Sequence, residues 1–385
     1  MDNHNQDNNS DLSRRDFLVQ SAGFAGASMG LNATRAADPA GVGSEVRLGF
    51  IGLGDRGRQL LGAALSSSKA RVTALCDLDP AKLKRARHMA GTEDRPRGFT
   101  NYRALLDSKD VDAVVIATPV HLHLPHTLSA LAAGKHVYCE KPLGLTVEEC
   151  RQLRDACVEA EGRGQLYQCG LQRRYNPRYR DSVRYLQDRE GGEILFIRAQ
   201  WHGVASARKN KPWIFRSEKS GGLVLEQGTH QFDVFNWILD STPLSAVALG
   251  GTNNSAAAAP RQNTMDHYGA VLEYPGGAKV QLSHLSYSIP ERRFSGSSEL
   301  VFCERAGVDV ANAMAWDSSG KSLELCRTAG NETHLAVESF LDSLLEGRRP
   351  EADIEVAYRA TLASLLCSRA IESGTKVSWD ELESS

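Results

Sequence analysis

No run of lysine and arginine in this 385-residue chain exceeds two residues, and the net charge is only −2. A nucleic-acid partner wants a basic face, so that class finds no support. No apolar stretch approaches the ~20 residues that a membrane span requires. The eight cysteines (Cys76, Cys139, Cys150, Cys157, Cys169, Cys303, Cys326 and Cys367) include no CxxC pair, and most sit in apolar or helical stretches. They read as buried free thiols rather than a disulfide framework or a metal site. No internal repeat is present. What remains is ordinary: 41% hydrophobic and 24% charged residues. That is enough apolar mass for a large core without staples. The length suits a leader plus two domains, divided here at 1–40, 41–165 and 166–385.

Residues 1–12 are rich in Asn and Asp and are expected to hold no fixed structure. Ser13-Arg14-Arg15-Asp16-Phe17-Leu18 follows, then a mildly apolar stretch to Leu31, then Thr34-Arg35-Ala36 as a small-residue cleavage site. Charge, apolar region and cleavage site in that order read as an export signal. The paired arginines before Phe-Leu resemble a twin-arginine (Tat) signal. The alternative is an amphipathic N-terminal helix. Export implies a periplasmic or otherwise external location and the Tat machinery as a partner.

EVRLGFIGLG (Glu45 to Gly54) is almost continuously apolar, as a strand buried on both faces should be. Gly52-Leu53-Gly54-Asp55-Arg56-Gly57 fits G-x-G-x-x-G, and RQLLGAAL continues as a helix. Gly52 permits a tight turn, Gly54 lets the backbone approach a pyrophosphate, and Gly57 lets helix and strand pack closely. The helix N-terminus, with Asp55 and Arg56 in its first turn, presents N–H groups and a positive dipole end to phosphates. A second strand, ARVTALCD, ends at Asp77. A carboxylate there accepts from a ribose 2′-OH and repels a 2′-phosphate, which favours NAD over NADP. Arg56 and Arg58 lie close enough to soften that preference. Strand and helix patterns keep alternating through DAVVIATPV, HTLSALAAG and KHVYCEKPLG. Such alternation means a parallel, doubly wound sheet with its crevice at the carboxyl ends of the strands. Thr118, Pro119, Glu140 and Lys141 fall at those ends and are candidates for the cofactor. In VHLHLPH the three histidines lack matching metal ligands, so they read as loop packing, with His123 also kept among the cofactor candidates.

These motifs together resemble the Gfo/Idh/MocA oxidoreductases across nearly all of residues 45–375. GFIGLGDRG, ATPVHLHLPHTLSALAAGKHVYCEKPLGLTVEE and GGLVLEQGTHQFDVFNW match in order and spacing, and EKP after AGKHV is the most specific. The resemblance implies an α/β Rossmann domain followed by a C-terminal α+β domain with an open, mostly antiparallel sheet. It implies that this sheet forms the interface of a homodimer or homotetramer. It also implies hydride transfer between a nicotinamide and a sugar or polyol carbon. Two positions depart from the family pattern: Val120 stands where Asn is usual, and Glu226 where Asp is usual.

Oxidising an alcohol needs a hydride acceptor and a group that takes the hydroxyl proton. Lys141, at a strand end beside Pro142, is one candidate for proton exchange. Glu140 reads as orienting the cofactor or Lys141. From Gly228 the sequence reads as a helix, and Glu226, His230 and Asp233 recur at i, i+4 and i+7 on one side of it. His230 is the candidate acid or base, because imidazole titrates near working pH. Glu226 and Asp233 are candidates to hold His230 or substrate hydroxyls. Arg173, Arg174 and Tyr175 could reach the cofactor or substrate from beyond the Rossmann half. Trp213, with Phe215, could wall the apolar face of a sugar.

The expectation is therefore an exported NAD(P)-dependent oxidoreductase acting on a sugar, polyol or related carbohydrate. No free nicotinamide pool is expected outside the cytoplasm, so the cofactor would be bound before export and recycled in place. A redox-neutral glycosidase, epimerase or lyase working by transient oxidation is one alternative, and a non-catalytic carbohydrate-binding protein is another.

Overall fold

The computed structural model describes residues 44–91, 95–204, 212–253, 263–291 and 293–385. The leader expected over residues 1–40, and the Ala256 to Gln262 stretch whose sequence reads as a loop, lie outside the described residues.

Six parallel strands form the first sheet: β1 (Val46–Ile51), β2 (Ala70–Cys76), β3 (Arg97–Phe99), β4 (Ala113–Ile116), β5 (His136–Cys139) and β6 (Tyr167–Cys169). Their order is β3-β2-β1-β4-β5-β6. The order reverses between β1 and β4, and that reversal opens the ligand crevice at the carboxyl ends. Helices α1 (Asp55–Leu65), α2 (Pro80–Met89), α3 (Tyr102–Leu106), α4 (His123–Ala132) and α5 (Val147–Glu161) connect the strands. β4 and β5 are buried along their whole length, as their unbroken apolar runs require. Local chemistry sets the helix starts. Asp79 caps α2 by accepting from Ala81 N–H with Pro80 at the first position, and Thr146 caps α5 by accepting from Glu149 N–H.

The chain then runs through α6 (Pro177–Gln187), β7 (Ile194–Val204), the four-residue α7 (Ser217–Ser220), a π-helical turn (Val224–Gly228) and α8 (Thr229–Leu239). Next come β8 (Ser245–Gly251), β9 (His267–Glu273), β10 (Lys279–Ser288), β11 (Gly296–Cys303), β12 (Ala306–Asp309), β13 (Met314–Asp317) and β14 (Ser322–Glu324). Helices α9 (Glu332–Glu346) and α10 (Ile354–Ser373), β15 (Val377–Ser378) and α11 (Trp379–Glu383) complete the chain. The second sheet has nine strands in the order β14-β13-β12-β11-β7-β10-β9-β8-β15. All its pairings are antiparallel except β7 with β10. α10 packs on α8, β8 and α5 and so covers one face of this sheet. Residues alternate along β9, with Tyr268, Ala270 and Leu272 buried and Val271 exposed.

The division at residue 165 does not match the packing. β6 lies beyond it, yet it is the edge strand of the parallel sheet. α9 lies far beyond it, yet Val337, Phe340, Leu341 and Leu344 share one buried cluster with Val46, Phe50, Leu60 and Tyr138. The rings of Phe340 and Tyr138 meet edge-on with centroids 5.6 Å apart. A parallel sheet needs both faces covered. The chain returns after the second sheet to complete the face on which α1 and α2 already lie. All eight cysteines are free and seven of them are buried. Burial pushes the Cys139 thiol up to about 12.

Candidate active site

Gly52 follows β1 with φ +92°, a conformation that side chains resist. A Cβ on Gly57 would stand 2.0 Å from the Gly52 carbonyl oxygen, so the turn closes only with glycine there. A Cβ on Gly54 would meet nothing within 4 Å. The fold therefore needs glycine at 52 and 57 but not at 54, where the backbone faces open space at the N-terminus of α1. That arrangement fits a pyrophosphate. At the end of β2, the Asp77 carboxylate accepts from Leu53 N–H and Asp79 N–H, both at 2.8 Å. It pins the glycine loop to the strand and keeps further lone pairs for a ribose hydroxyl.

Arg56 is turned inward. Its Nε donates to Glu140 Oε1 at 2.7 Å and its Nη1 to Thr333 Oγ1 at 2.8 Å. Arg58 donates to Asp55 at 2.7 Å. Neither arginine is free to soften the preference for NAD, because each is committed to a carboxylate. Glu140 in turn is held by Arg56 beneath Gly170 rather than by Lys141. His123 is also not a cofactor ligand. It is 1% exposed, with Nδ1 2.7 Å from the Pro142 carbonyl and Nε2 2.9 Å from the Thr118 carbonyl. It ties the end of β4 to the loop after β5, and burial lowers its pKa against the pull of those two carbonyls. Thr118 and Pro119 stay partly exposed at the end of β4.

Lys141 leaves β5 and points at the second region. Its ammonium donates to the backbone carbonyl of Glu226 and lies 3.7 Å from that residue's carboxylate. Glu226 belongs to the π-helical turn, which runs directly into α8 and brings His230 one turn further on. His230 is 6% exposed, its Nδ1 is buried without a partner, and its ring lies 5.8 Å from that of Trp201. Its pKa falls well below the ordinary value, first through burial and then through the charges of Lys141, Arg173 and Arg56. His230 is thus a neutral imidazole facing cations at neutral pH.

Two expected substrate contacts, Asp233 and Arg174, are corrected together. Asp233 is 1% exposed and is gripped by Arg174, with Nε 2.9 and 3.0 Å from its two oxygens and Nη2 2.7 Å from Oδ1. Burial pushes this carboxyl up and the guanidinium opposes it. The pair joins the segment after β6 to α8 and has little left to offer a hydroxyl. Trp213 is half-buried in the turn Pro212–Phe215, its carbonyl accepting from Arg216 N–H at 3.2 Å, and its side chain makes no hydrogen bond or ring contact among the described residues. Tyr175 is likewise structural, its hydroxyl accepting from Ala352 N–H at 3.1 Å.

Trp201, Tyr179, Gln231 and Glu299, which gather around Arg173, escaped the sequence reading. Arg173 donates to the fully buried Glu299 at 2.8 Å, and its guanidinium lies over the Trp201 ring at 5.2 Å. Tyr179 and Gln231 also donate to Glu299. For Trp201 and His284 the signal was the two-residue period: Ile197, Ala199 and Trp201 share a face of β7, and Val280, Leu282 and His284 share one of β10. Among the described residues, no group of three or more His, Cys, Asp or Glu is placed to hold a metal ion. No described helix is long and apolar enough to cross a membrane.

A glycine cradle at the switch point of a doubly wound sheet, with an amine and a neutral imidazole meeting beside it, defines a dinucleotide-dependent enzyme class. Residues 46–168 match the model of the oxidoreductase family with an NAD-binding Rossmann fold, and residues 179–307 match the GFO/IDH/MocA C-terminal domain. The chain belongs to the GFO/IDH/MocA oxidoreductase family, and its cofactor is NAD. It is 32% identical over 258 residues to a glycosyl hydrolase family 109 protein of Shewanella amazonensis, covering 60% of this chain but only 54% of that protein. The chain thus spans about half the length of that relative. It is 28% identical over 341 residues to inositol 2-dehydrogenase 1 of Saccharopolyspora erythraea, covering 86% of this chain and 96% of that one. In fold it is similar to aldose-aldose oxidoreductase from Caulobacter crescentus, with TM-score 0.75, 22% identity and coverage of 87% and 99%.

Proposed function

We propose that this protein oxidises or reduces an alcohol carbon of a sugar or polyol with NAD. The observation that carries the reading is that Lys141, at the end of β5, bonds the Glu226 carbonyl one turn before His230 on α8, close enough for its charge to act on that imidazole. NAD supplies the hydride acceptor when bound. The chain's own groups handle the proton. His230 is neutral because burial and neighbouring cations disfavour its charged form, so it is ready to accept from a hydroxyl. Lys141 presents N–H donors to the same oxygen. Arg56 and Glu140 hold the strand end that carries Lys141, and Arg174 with Asp233 holds the helix that carries His230. The similarity over most of both chains to an inositol 2-dehydrogenase supports a polyhydroxy substrate.

A redox-neutral variant of this chemistry, in which the hydride returns to the same substrate, is favoured by the similarity to a glycosyl hydrolase family 109 protein. The twin-arginine pattern at Arg14 and Arg15 supports export with the cofactor already aboard. Val247, Leu249, Val271, Phe302 and Trp316 stand exposed on the open face of the nine-stranded sheet, which supports a homo-oligomer formed through that face. One experiment tests the core of the reading: purify the protein without added nucleotide, denature a portion, identify what is released, and screen polyols and sugars for a change in nicotinamide absorbance. Release of NAD and a spectral response to a polyol are expected. A nucleotide-free protein that turns over only with soluble NAD defeats the retained cofactor. Silence toward every polyol and sugar, with or without NAD, defeats the activity. Replacing Arg14 and Arg15 by lysine is expected to leave the protein in the cytoplasm, as read by cell fractionation.

A further inference from the structure

We propose that His284 is a positioning residue for both catalytic candidates, an inference that rests on the function proposed above. His284 lies on β10 and is fully enclosed. Its Nε2 is 3.1 Å from Gln227 Oε1, and its Nδ1 is 3.1 Å from the Tyr268 hydroxyl. An amide oxygen only accepts, so Nε2 carries the proton, and Nδ1 accepts from Tyr268. Both ring nitrogens are thereby used and the ring cannot turn without losing one bond.

This ring reaches His230 through one residue and Lys141 through two neighbours in the turn. Gln227 is the neighbour of Glu226 in the π-helical turn, and the Glu226 carbonyl receives the Lys141 ammonium. Trp201 stacks on His284 with ring centroids 5.5 Å apart and planes 7° apart, and Trp201 lies 5.8 Å from the His230 ring. The seat is close-fitting: a Cβ on Gly228 would stand 2.6 Å from the Tyr268 hydroxyl oxygen. The second sheet therefore grips the turn beside Lys141 and the ring beside His230 through one side chain. Groups misplaced by an ångström lose rate without losing affinity, which is how this role would show itself.

The test uses four single variants and one double variant of the full-length protein. His284→Phe keeps a flat ring against Trp201 and removes both hydrogen bonds. Gln227→Met removes the acceptor with less risk to folding. His284→Gln places an amide N–H near the position of Nε2–H, and His284→Asn is too short to do so. Imidazole nitrogen resonances of His230 in the protein without substrate are the first readout. The second is oxidation of myo-inositol with NAD. The Phe and Met variants are expected to move the His230 resonances and to lower kcat by about tenfold to a hundredfold with KM little changed. The Gln variant recovers both, the Asn variant recovers neither, and the double variant His284→Phe with Gln227→Met is no worse than the worse single. Unmoved His230 resonances in the Phe and Met variants, or losses that simply add in the double variant, overturn the inference. If the unaltered protein acts on no polyol or sugar, the functional reading fails on that result, and the resonances still decide the role of His284.

Discussion

At the scale of single residues, Lys141 and His230 belong to local motifs, and each was legible from its neighbours in the chain. The partnership of Arg174 with Asp233 was not. Both looked like substrate ligands because a charged residue beside a catalytic helix has two uses, and only packing showed that they neutralise one another. Replacing Lys141 by Ala is expected to reduce turnover about 10²- to 10⁴-fold, as loss of a proton-transfer group does. NAD binding, followed by nucleotide fluorescence, is expected to persist. His126 makes a second prediction. Burial lowers it from 6.5 to about 4 in the fold, beside Tyr102 with ring centroids 4.3 Å apart. On acidification the unfolded chain therefore binds this proton before the folded one does. Stability is full above pH 6.5 and falls toward pH 4 by about 1.4 kcal/mol per pH unit for this one group. His126→Asn is expected to remove that share of the slope, read as urea midpoints across a pH series. His123, His136 and His230, lowered by burial in the same direction, keep the rest.

At the scale of elements, the glycine loop separates fold from function. Gly57→Ala forces a Cβ against the Gly52 carbonyl, so it is expected to unfold the loop and lower the melting temperature sharply. Gly54→Ala enters open space at an ordinary φ of −67°, so it is expected to cost about 1 kcal/mol or less in stability. Its effect is expected on NAD affinity instead, as a loss of tenfold or more by titration, because the open space is where the cofactor's phosphates approach. Long elements with a clear period were legible, and the ends of α9 and α10 fall at Gly347 and Gly374, left-handed glycines that close helices. β3, β6 and β14 have three residues each, too few for any period to register. The π-helical turn also left no trace in the spacing, since Glu226 and His230 remain four apart whichever helix carries them.

At the scale of the whole molecule, the two sheets are stitched together by chain that sequence order assigns to the other half. Phe340 on α9 is buried against Tyr138 on β5. Phe340→Ala is expected to cost about 3–5 kcal/mol, measured by denaturant titration, although it lies in the segment read as the substrate domain. A fragment ending at residue 165 lacks both β6 and α9. It is expected to remain unfolded or aggregate, as circular dichroism and size-exclusion chromatography would show.

The sequence by itself determined the parallel sheet and the glycine cradle, and it singled out Lys141 and His230 as candidates. Those features rest on residues within one or two elements, where period, glycine geometry and strand-end position act locally. Tertiary structure alone decided which charges are spent on one another, which helix completes the Rossmann sheet's cover, and how His284 comes to contact Gln227 and Trp201. Those facts depend on pairs such as Arg56 with Thr333 or Arg173 with Glu299, more than a hundred residues apart in the chain. Such residues meet only because burying apolar surface brings them together, and nothing in their own neighbourhoods announces it.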